Sequence, residues 1–253
     1  MTTRAYDRQG TSLRRGRSER LPKSRALGGR WWWLIIPLIA VALTGLGLSA
    51  TRSSDELVED LAEGHLVGPR SPAPIHVVFI VDWSGSFAEY AKLRQQALDQ
   101  VLRWAPENLR GDDTVSIIAF AGDAVTTLPA TTVADVAQGN YQIAAQAPDP
   151  HDTHILPALE AAVSLYSGGA TSLIVLTDTL VDDATPEAVN PLIAGLNVTT
   201  MSVITPTGVD ISQPWQVSFP WEAAFEAGSG DVRQTAVAVG NALAHATGQR
   251  LEK

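Results

Sequence analysis

Two short apolar runs, each closing on an aspartate, leave this chain few possible folds. The first is Ile75 to Val81, followed by Asp82, and the second runs from Ser172 to Asp178. Both are short for helices and rich in β-branched residues, so they predict buried strands. Apolar residues at helical spacing follow the first run, from Phe87 to Trp104. We therefore expect strands that alternate with helices in a doubly wound, mostly parallel α/β sheet with helices on both faces.

The remaining pattern continues this alternation. Further apolar runs predict strands at Thr114 to Phe120, Ala124 to Leu128 and Val198 to Ile204. Helical spacing predicts helices at Ala134 to Ala147, Ile155 to Tyr166, Pro186 to Leu196 and Asp231 to Gly248. Hydrophobic residues make up 45% of the 253, which is enough for one substantial core with attachments. The absence of cysteine excludes disulfides, zinc-thiolate sites and a cysteine nucleophile.

Charge is distributed unevenly along the chain. Residues 1–30 hold nine Lys or Arg against Asp7 and Glu19, a net charge of +7. The whole chain has a net charge of −9, so the other residues together carry −16. The basic tail lacks interleaved aromatic residues and adjoins an apolar segment, which favours a role in membrane topology over nucleic-acid binding. The acidic remainder also argues against nucleic acid, whose phosphates would repel it.

The apolar segment from Trp31 to Ala50 predicts a transmembrane helix. It has 20 residues without a charge and opens on three tryptophans. A helix of this length spans the roughly 30 Å hydrocarbon core of a bilayer. The arginine-rich side should stay cytoplasmic, so we expect a single-pass signal-anchor in the cell membrane with everything after Ala50 extracytoplasmic. A cleaved signal peptide is the alternative.

Residues 51–74 are expected to form a stalk between this anchor and the outer domain. An acidic, helix-like piece is followed by Pro69, Pro72 and Pro74, which would make the segment semi-rigid. The predicted organisation is a basic cytoplasmic tail over 1–30, a transmembrane helix over 31–50, a stalk over 51–74 and a globular domain over 75–253.

Oxygen-bearing side chains are expected to meet at one edge of the predicted sheet. Asp82-Trp83-Ser84-Gly85-Ser86 places one acid and two hydroxyls in a single strand-to-helix turn. Asp178 closes another strand at the same edge, and the loop before Ile155 brings Thr153 there. Hard divalent cations such as Mg²⁺ prefer such oxygen ligands. The competing interpretation is that Asp82 or Ser84 only caps a helix.

These motifs resemble the von Willebrand factor type A (vWA) domain with its metal-ion-dependent adhesion site (MIDAS). The resemblance covers about Ile75 to the C-terminus and implies a Rossmann-like vWA fold. It implies that Ser84 and Ser86 bind Mg²⁺ or Mn²⁺ directly, Thr153 directly or through water, and Asp82 and Asp178 often through water. It also implies that the metal captures an Asp or Glu of a partner protein.

Two positions depart from the pattern of that family. His151-Asp152 stand where a glycine pair often precedes the threonine, and Thr179 follows Asp178 where glycine is frequent. Both departures fall in loops that would carry the ligands.

The sequence leaves three functions open. The first is a non-enzymatic, membrane-anchored protein-binding domain for adhesion or assembly. The second is a scaffold subunit of a membrane or cell-envelope complex, with a secondary role for metal. The third is a metal-dependent phosphate-ester hydrolase with a nucleophilic aspartate, although the chain has neither a Gly-x-x-x-x-Gly-Lys loop nor a Gly-x-Ser-x-Gly elbow.

Other polar and aromatic pairs receive simpler interpretations. His151 and His154 are expected to be solvated rather than metal ligands. Trp215 and Trp221 are expected to pack against helices rather than form a recognition patch. The acidic pair Asp182-Asp183 is expected to lie in a solvated loop.

Overall fold

The computed structural model of this chain describes residues 57–228 and 230–253. The predicted tail over 1–30, the predicted transmembrane helix over 31–50 and the start of the predicted stalk lie outside these residues. Within the described part of the chain, no helix has both the length and the apolar character that crossing a bilayer requires.

Within residues 57–228 and 230–253, eight strands form two sheets. In chain order they are β1 (His65–Val67), β2 (Ile75–Asp82), β3 (Thr114–Phe120), β4 (Ala124–Thr132), β5 (Ala170–Leu176), β6 (Val198–Pro206), β7 (Ala223–Ala227) and β8 (Arg250–Glu252). The main sheet has six strands in the order β4-β3-β2-β5-β6-β7. Only β4 runs antiparallel in it, because a three-residue connection returns it beside β3. The prediction of a doubly wound, mostly parallel sheet is confirmed.

Six α-helices accompany the strands in the described part of the chain. They are α1 (Ala91–Asn108), α2 (Val133–Ala137), α3 (Leu156–Leu165), α4 (Pro186–Gly195), α5 (Gln213–Ser218) and α6 (Val232–Thr247). A 3-10 turn, Gly85–Tyr90, connects β2 to α1.

The central strand β2 is buried on both faces, and its alternation separates two core layers. Val77, Phe79 and Val81 face a layer that includes residues of α1, α2 and α6. Val78 and Ile80 face a layer that includes residues of α3, α4 and α5. Because helices cover both faces, β2 is an almost continuous apolar run rather than a half-polar one. This burial leaves the ends of the strands as the place for polar chemistry.

The segment predicted as a separate stalk packs on the domain over its described part. Leu61 is 1% exposed and belongs to the core layer beside α6. Gly240 of α6 makes room for it, since a Cβ there would lie 2.5 Å from Leu61 Cδ1. The strand β1 pairs with β8 in an antiparallel two-stranded sheet. Leu61 and β1, which fall within the predicted stalk over 51–74, therefore pack on partners near the C-terminus.

Several local predictions are also corrected. The helix predicted over Ala134 to Ala147 ends at Ala137, and Gly139 then takes a φ of +70°. Residues 140–149 form no helix or strand, although Ala144 N donates to Thr127 O at 2.7 Å. The pattern did not predict α5 or β7, since both are short. The strand predicted over Ala124 to Leu128 continues to Thr132.

Asp113 ties the start of the domain together. Its carboxylate accepts two hydrogen bonds from Arg70, from Nη1 and Nη2, both at 2.9 Å. It also accepts from Ile75 N at 3.0 Å and from Arg110 N at 2.8 Å. Side-chain exposure is 13% for Arg70 and 0% for Asp113, so this is a buried ion pair. Removal of one partner would leave the other charge uncompensated.

We expect Asp113→Asn to lower the free energy of unfolding by about 3–5 kcal/mol, because the Arg70 charge loses its buried counter-ion. The neighbouring Asp112→Asn is the matched control, since the Asp112–Arg110 pair is exposed. That change should cost at most about 1 kcal/mol. Urea unfolding of both variants measures the difference. Equal losses would show that the ion pair of Asp113 has no special role in stability.

Candidate metal centre

The ends of β2 and β5 bring the first and last motif residues to one edge of the sheet. These strands are parallel neighbours, with Val81 opposite Leu176. β3 lies on the other side of β2, so the chain reverses its winding direction here. Such a switch point, at the carboxyl ends of parallel strands, is where open α/β sheets bind ligands.

Asp82 is the hub of this edge. Its side chain is fully buried, and Oδ1 accepts from Ser84 N at 2.8 Å and from Ser84 Oγ at 2.6 Å. Its Oδ2 accepts from Thr177 Oγ1 at 2.7 Å, which joins the end of β5 to the end of β2. Burial raises the pKa of Asp82, and nearby Asp178 adds to the rise, while the hydrogen bonds from Ser84 and Thr177 oppose it. The charged carboxylate is thus held in a site that disfavours its charge.

A chain of side-chain hydrogen bonds leads from Asp82 to Asp178. Ser84 Oγ lies 3.2 Å from Ser86 Oγ, and Ser86 Oγ donates to Asp178 Oδ2 at 2.8 Å. The Asp178 carboxylate also accepts from Leu180 N at 3.0 Å, through Oδ1. Asp82, Ser84, Ser86 and Asp178 are therefore brought together as predicted, and Ser86 is the exposed member of the four.

Thr153 lies on a neighbouring loop that is fastened to the same edge. Gly85 N donates to Pro150 O at 3.0 Å, and His154 N donates to Ala121 O at 2.7 Å. Thr153 O accepts from Asp182 N at 2.9 Å. Its side chain is nearly buried, and among the described residues no hydrogen bond connects its hydroxyl to the other four. The backbone of this loop is placed beside the site, but the threonine does not join the chain of hydrogen bonds.

Thr177 is a site residue to which sequence reasoning assigned no role. It is fully buried, it donates to Asp82 and its Oγ1 accepts from Thr179 N at 2.9 Å. Its position directly after an apolar strand, one residue before the acid, is the signal that could have identified it. A hydroxyl at the end of a strand next to β2 is within reach of a carboxylate that ends β2.

Thr179 occupies a conformation that usually requires glycine. Its φ is +64°, and such a left-handed conformation costs a β-branched residue roughly 1–2 kcal/mol. Ser212 holds it there: Ser212 N donates to Thr179 Oγ1 at 2.8 Å, and Ser212 Oγ donates to Thr179 O at 2.6 Å. The departure from the glycine of the family therefore keeps the left-handed backbone and adds a contact to the segment before α5.

The acidic pair Asp182-Asp183 is not simply a solvated loop. Asp182 is exposed, but the Asp183 carboxylate accepts from Ile155 N and Leu156 N, each at 2.9 Å. It thereby satisfies free amides at the start of α3, as a capping carboxylate does. This contact was missed because the two residues of the cap lie 27 and 28 positions away. It also anchors the loop that carries Thr153.

The remaining polar and aromatic pairs behave more simply. Trp215 is fully buried and stacks on Phe219 with ring centroids 4.1 Å apart, which confirms the packing role predicted for it. Trp221 is half-buried beside the same core layer. The side chain of His151 is 86% exposed, whereas His154 Nδ1 lies 3.2 Å from Gly122 O.

Arg94 places an unpredicted positive charge beneath the turn. It is 3% exposed, and its guanidinium lies 4.2 Å from the ring centroid of Phe87 and 5.7 Å from that of Trp83. Burial lowers the pKa of Arg94 to about 10, and the charges of Asp82 and Asp178 oppose the fall. The group therefore stays charged at neutral pH. In the sequence it stands among Lys92, Gln95 and Gln96, which makes it look like part of a solvated helix face.

The donor set fits a hard divalent cation. Ser84 and Ser86 direct their O–H groups at the two carboxylates, so each hydroxyl oxygen keeps lone pairs for a cation. Two carboxylates supply the charge that balances a doubly charged ion. The ligand types are all oxygen, as Mg²⁺ and Mn²⁺ prefer. Ser84, Ser86 and Thr153 are the residues that would contact the ion, with Asp82 and Asp178 behind the serines.

Comparison with known protein families identifies one segment of this chain. A family model described as von Willebrand factor type A domain matches residues 77–180. The match extends from β2 to just beyond Asp178 and includes all five predicted site residues. Residues 77–180 thus match a vWA domain. A search of curated proteins finds no match.

Solved structures resemble this domain at low sequence identity. Proximal thread matrix protein 1 from the mussel byssus has a TM-score of 0.53 and 17% identity, covering 76% of this chain and 50% of its own. A von Willebrand factor type A structure from Catenulispora acidiphila has a TM-score of 0.47 and 15% identity, covering 65% and 41%. The conserved hypothetical protein BatB from Bacteroides thetaiotaomicron has a TM-score of 0.42 and 17% identity, covering 68% and 99%. This chain thus spans half the length of the mussel protein, and that likeness supports the fold alone.

In a chelating buffer, we expect the contribution of Asp82 to the free energy of unfolding to decrease as the pH rises. A pKa raised above the ordinary value of 3.8 contributes stability below that value, and this contribution is lost as pH rises through the folded pKa. The side chain of Asp82→Asn does not titrate, so this part of the pH dependence should be absent from the variant. Urea unfolding of both proteins at several pH values measures the difference.

The exposed Asp152→Asn, on the same edge, is the control and should keep the pH dependence of the unsubstituted chain. An unchanged pH dependence in Asp82→Asn would contradict the prediction.

Proposed function

We propose that this vWA domain is a non-enzymatic binding module that holds a divalent cation at the edge formed by Asp82, Ser84, Ser86, Thr153 and Asp178. The cation captures a carboxylate from an Asp or Glu of a partner protein. The observation that carries the proposal is the chain of hydrogen bonds from Asp82 through Ser84 and Ser86 to Asp178, which leaves hydroxyl lone pairs available.

Charge balance supports an open coordination position. Two carboxylates can at most neutralise a doubly charged cation. Both also accept hydrogen bonds from other donors, from Thr177 in one case and Leu180 N in the other. A carboxylate engaged in this way, or bound through water, leaves the ion electrophilic toward an additional anionic oxygen. We therefore infer that a partner carboxylate completes the site.

The surroundings of Asp82 favour binding over hydrolysis. A nucleophilic aspartate needs a free oxygen within reach of its substrate. Asp82 is fully buried and accepts three hydrogen bonds, so neither of its oxygens is free. This arrangement suits an electrostatic role behind the serines. We therefore place the phosphate-ester hydrolase last among the candidate functions.

A partner would also meet an apolar side chain next to the metal. Leu180 is 59% exposed and lies two residues after Asp178, to whose carboxylate its backbone N–H donates. Interfaces commonly combine one charged anchor with neighbouring apolar contact area. We infer that Leu180 forms part of the surface that contacts the partner.

We also propose the cellular arrangement that the sequence pattern favours. The segment Trp31 to Ala50 anchors the chain in the cell membrane, residues 1–30 stay cytoplasmic, and the vWA domain is extracytoplasmic. Adhesion to an external ligand and assembly with envelope proteins both fit this arrangement. The identity of the captured partner separates them.

The metal proposal is tested by calorimetric titration of the 253-residue chain with Mg²⁺ and Mn²⁺. We expect saturable binding. Ser86→Ala should weaken it at least tenfold, because the variant loses the exposed hydroxyl that contacts both Ser84 and Asp178. Ser164→Ala is the matched control, since that serine donates to Glu160 O within α3. Absence of metal binding, or equal effects of the two variants, would contradict the proposed centre.

The partner proposal is tested by crosslinking in intact cells, with and without a chelator. We expect captured proteins to depend on the metal and to decrease several-fold in Leu180→Ser, while metal affinity stays unchanged. Val67→Ser is the control, because it also removes an exposed apolar side chain. Val67 lies on β1, whose Leu66 N–H donates to Asn108 at the C-terminal end of α1, away from the proposed metal site. Capture that persists in the chelator and in Leu180→Ser alike would argue against this surface.

A further inference from the structure

We call the sheet edge that carries Asp82, Ser84, Ser86 and Asp178 the metal edge. A cleft of about 330 Å³ lies next to it and is lined in part by Trp83. It opens between α1, the strands β2, β3 and β4, and the irregular segment after α2. Its lining combines apolar side chains with one positive charge, and includes Trp83, Arg94, Leu98, Ile117, Thr127 and Ile143. The volume is at the lower end of the roughly 300–1,000 Å³ typical of small-molecule sites.

Arg94 is the charged residue in this lining, and its hydrogen-bonding capacity is only partly used. Nη1 donates to Phe87 O at 3.0 Å. Among the described residues, no acceptor is bonded to Nε or Nη2, although both atoms are buried. A buried guanidinium with unpaired donors is costly, because each donor has lost its water without gaining a partner. Such groups in native proteins call for an explanation.

The two unpaired nitrogens of Arg94, Nε and Nη2, lie on one edge of the guanidinium and can bind one ligand together. The rings of Phe87 and Trp83 lie within cation–π distance of the guanidinium, which orders this group. The donors point outward in its plane, along its edges. Nε and Nη2 share one edge and present two parallel N–H groups, the fork that binds both oxygens of a carboxylate. The edge left without an acceptor is thus a complete carboxylate-binding edge.

The charge balance around Arg94 also leaves room for an anion. Asp82 and Asp178 are the negative charges that act on it, yet neither carboxylate is hydrogen-bonded to it. Both are engaged with hydroxyls of the metal edge. Among the lining residues of the cleft there is no acid to neutralise the charge from the other side.

We propose that this cleft binds a small organic monocarboxylate with an apolar body. The fork of Nε and Nη2 of Arg94 holds the carboxylate, and the apolar part packs against Leu98, Ile117 and Ile143. One fork and one positive charge match a single carboxylate, and the apolar walls exclude a fully hydrated inorganic anion. The site is separate from the metal position, and its occupation does not require a cation.

The test uses 4-phenylbutyrate and its uncharged amide as probes. Calorimetry is performed on the 253-residue chain in non-ionic detergent with a chelator, against the same buffer as blank. The two probes share shape and apolar area, so their difference reports on the charge. We expect the carboxylate to bind at least tenfold more tightly than the amide. Equal affinities, or binding of neither probe, would overturn the proposal.

Variants assign the binding to this cleft. Arg94→Met keeps side-chain length and should remove the preference for the carboxylate; replacement of a buried charge by an apolar residue is often tolerated. Ala145 lines the cleft and is exposed, so Ala145→Leu should narrow it and weaken binding at least tenfold. Ala147 is exposed on the same segment but does not line the cleft, so Ala147→Leu is the control.

The Ala145 and Ala147 variants decide the question even where Arg94→Met fails to fold. Binding that is lost equally in both, or kept in both, would overturn the assignment to this cleft. The chelator separates this result from the proposed metal centre, whose failure would leave it unchanged.

Discussion

The buried carboxylate of Asp82 holds the metal edge of this domain together. It receives the hydroxyl and the amide of Ser84 from its own turn and the hydroxyl of Thr177 from the neighbouring strand. These bonds join the ends of β2 and β5 and orient the turn that leads into α1. The hydroxyl of Ser84 donates to Asp82 and that of Ser86 donates to Asp178, so both oxygens keep lone pairs for the proposed cation. In such a site, residues that do not touch the ion orient the residues that do.

Two buried charges of opposite sign, Asp82 and Arg94, lie close to the turn that contains Trp83, and burial disfavours both. Burial disfavours the charge of Asp82, and it disfavours that of Arg94 as well. Buried charges without a full counter-charge are common at functional sites, because a bound ligand can provide the missing opposite charge. A cation on the carboxylate side and an anion on the guanidinium side would each relieve one of them. The proposed metal centre and the proposed carboxylate site would each offset one of these two buried charges.

The sequence predicted the strands that are buried on both faces of the sheet. It did not predict the segments whose contacts lie far away along the chain. β2 and β5 are covered on both faces, so their apolar runs identify them directly. The helix expected after Ala134 ends early, since Gly139 leaves the helical conformation and the chain then follows β4 without regular structure. Leu61 and β1 looked like parts of a stalk because their respective partners, Gly240 and β8, lie near the other end of the chain.

Local periodicity and motif order in the sequence were enough to establish the alternation of strands and helices, the vWA resemblance and the set of oxygen-bearing residues. The folded chain was needed to show which side chains bond to Asp82, that Thr179 keeps a left-handed backbone through Ser212, and that Asp183 caps α3. It was also needed to reveal the partly unpaired guanidinium of Arg94. This division arises because hydrogen bonding and burial are properties of neighbours in space, and the neighbours that build this site are up to 95 residues apart along the chain.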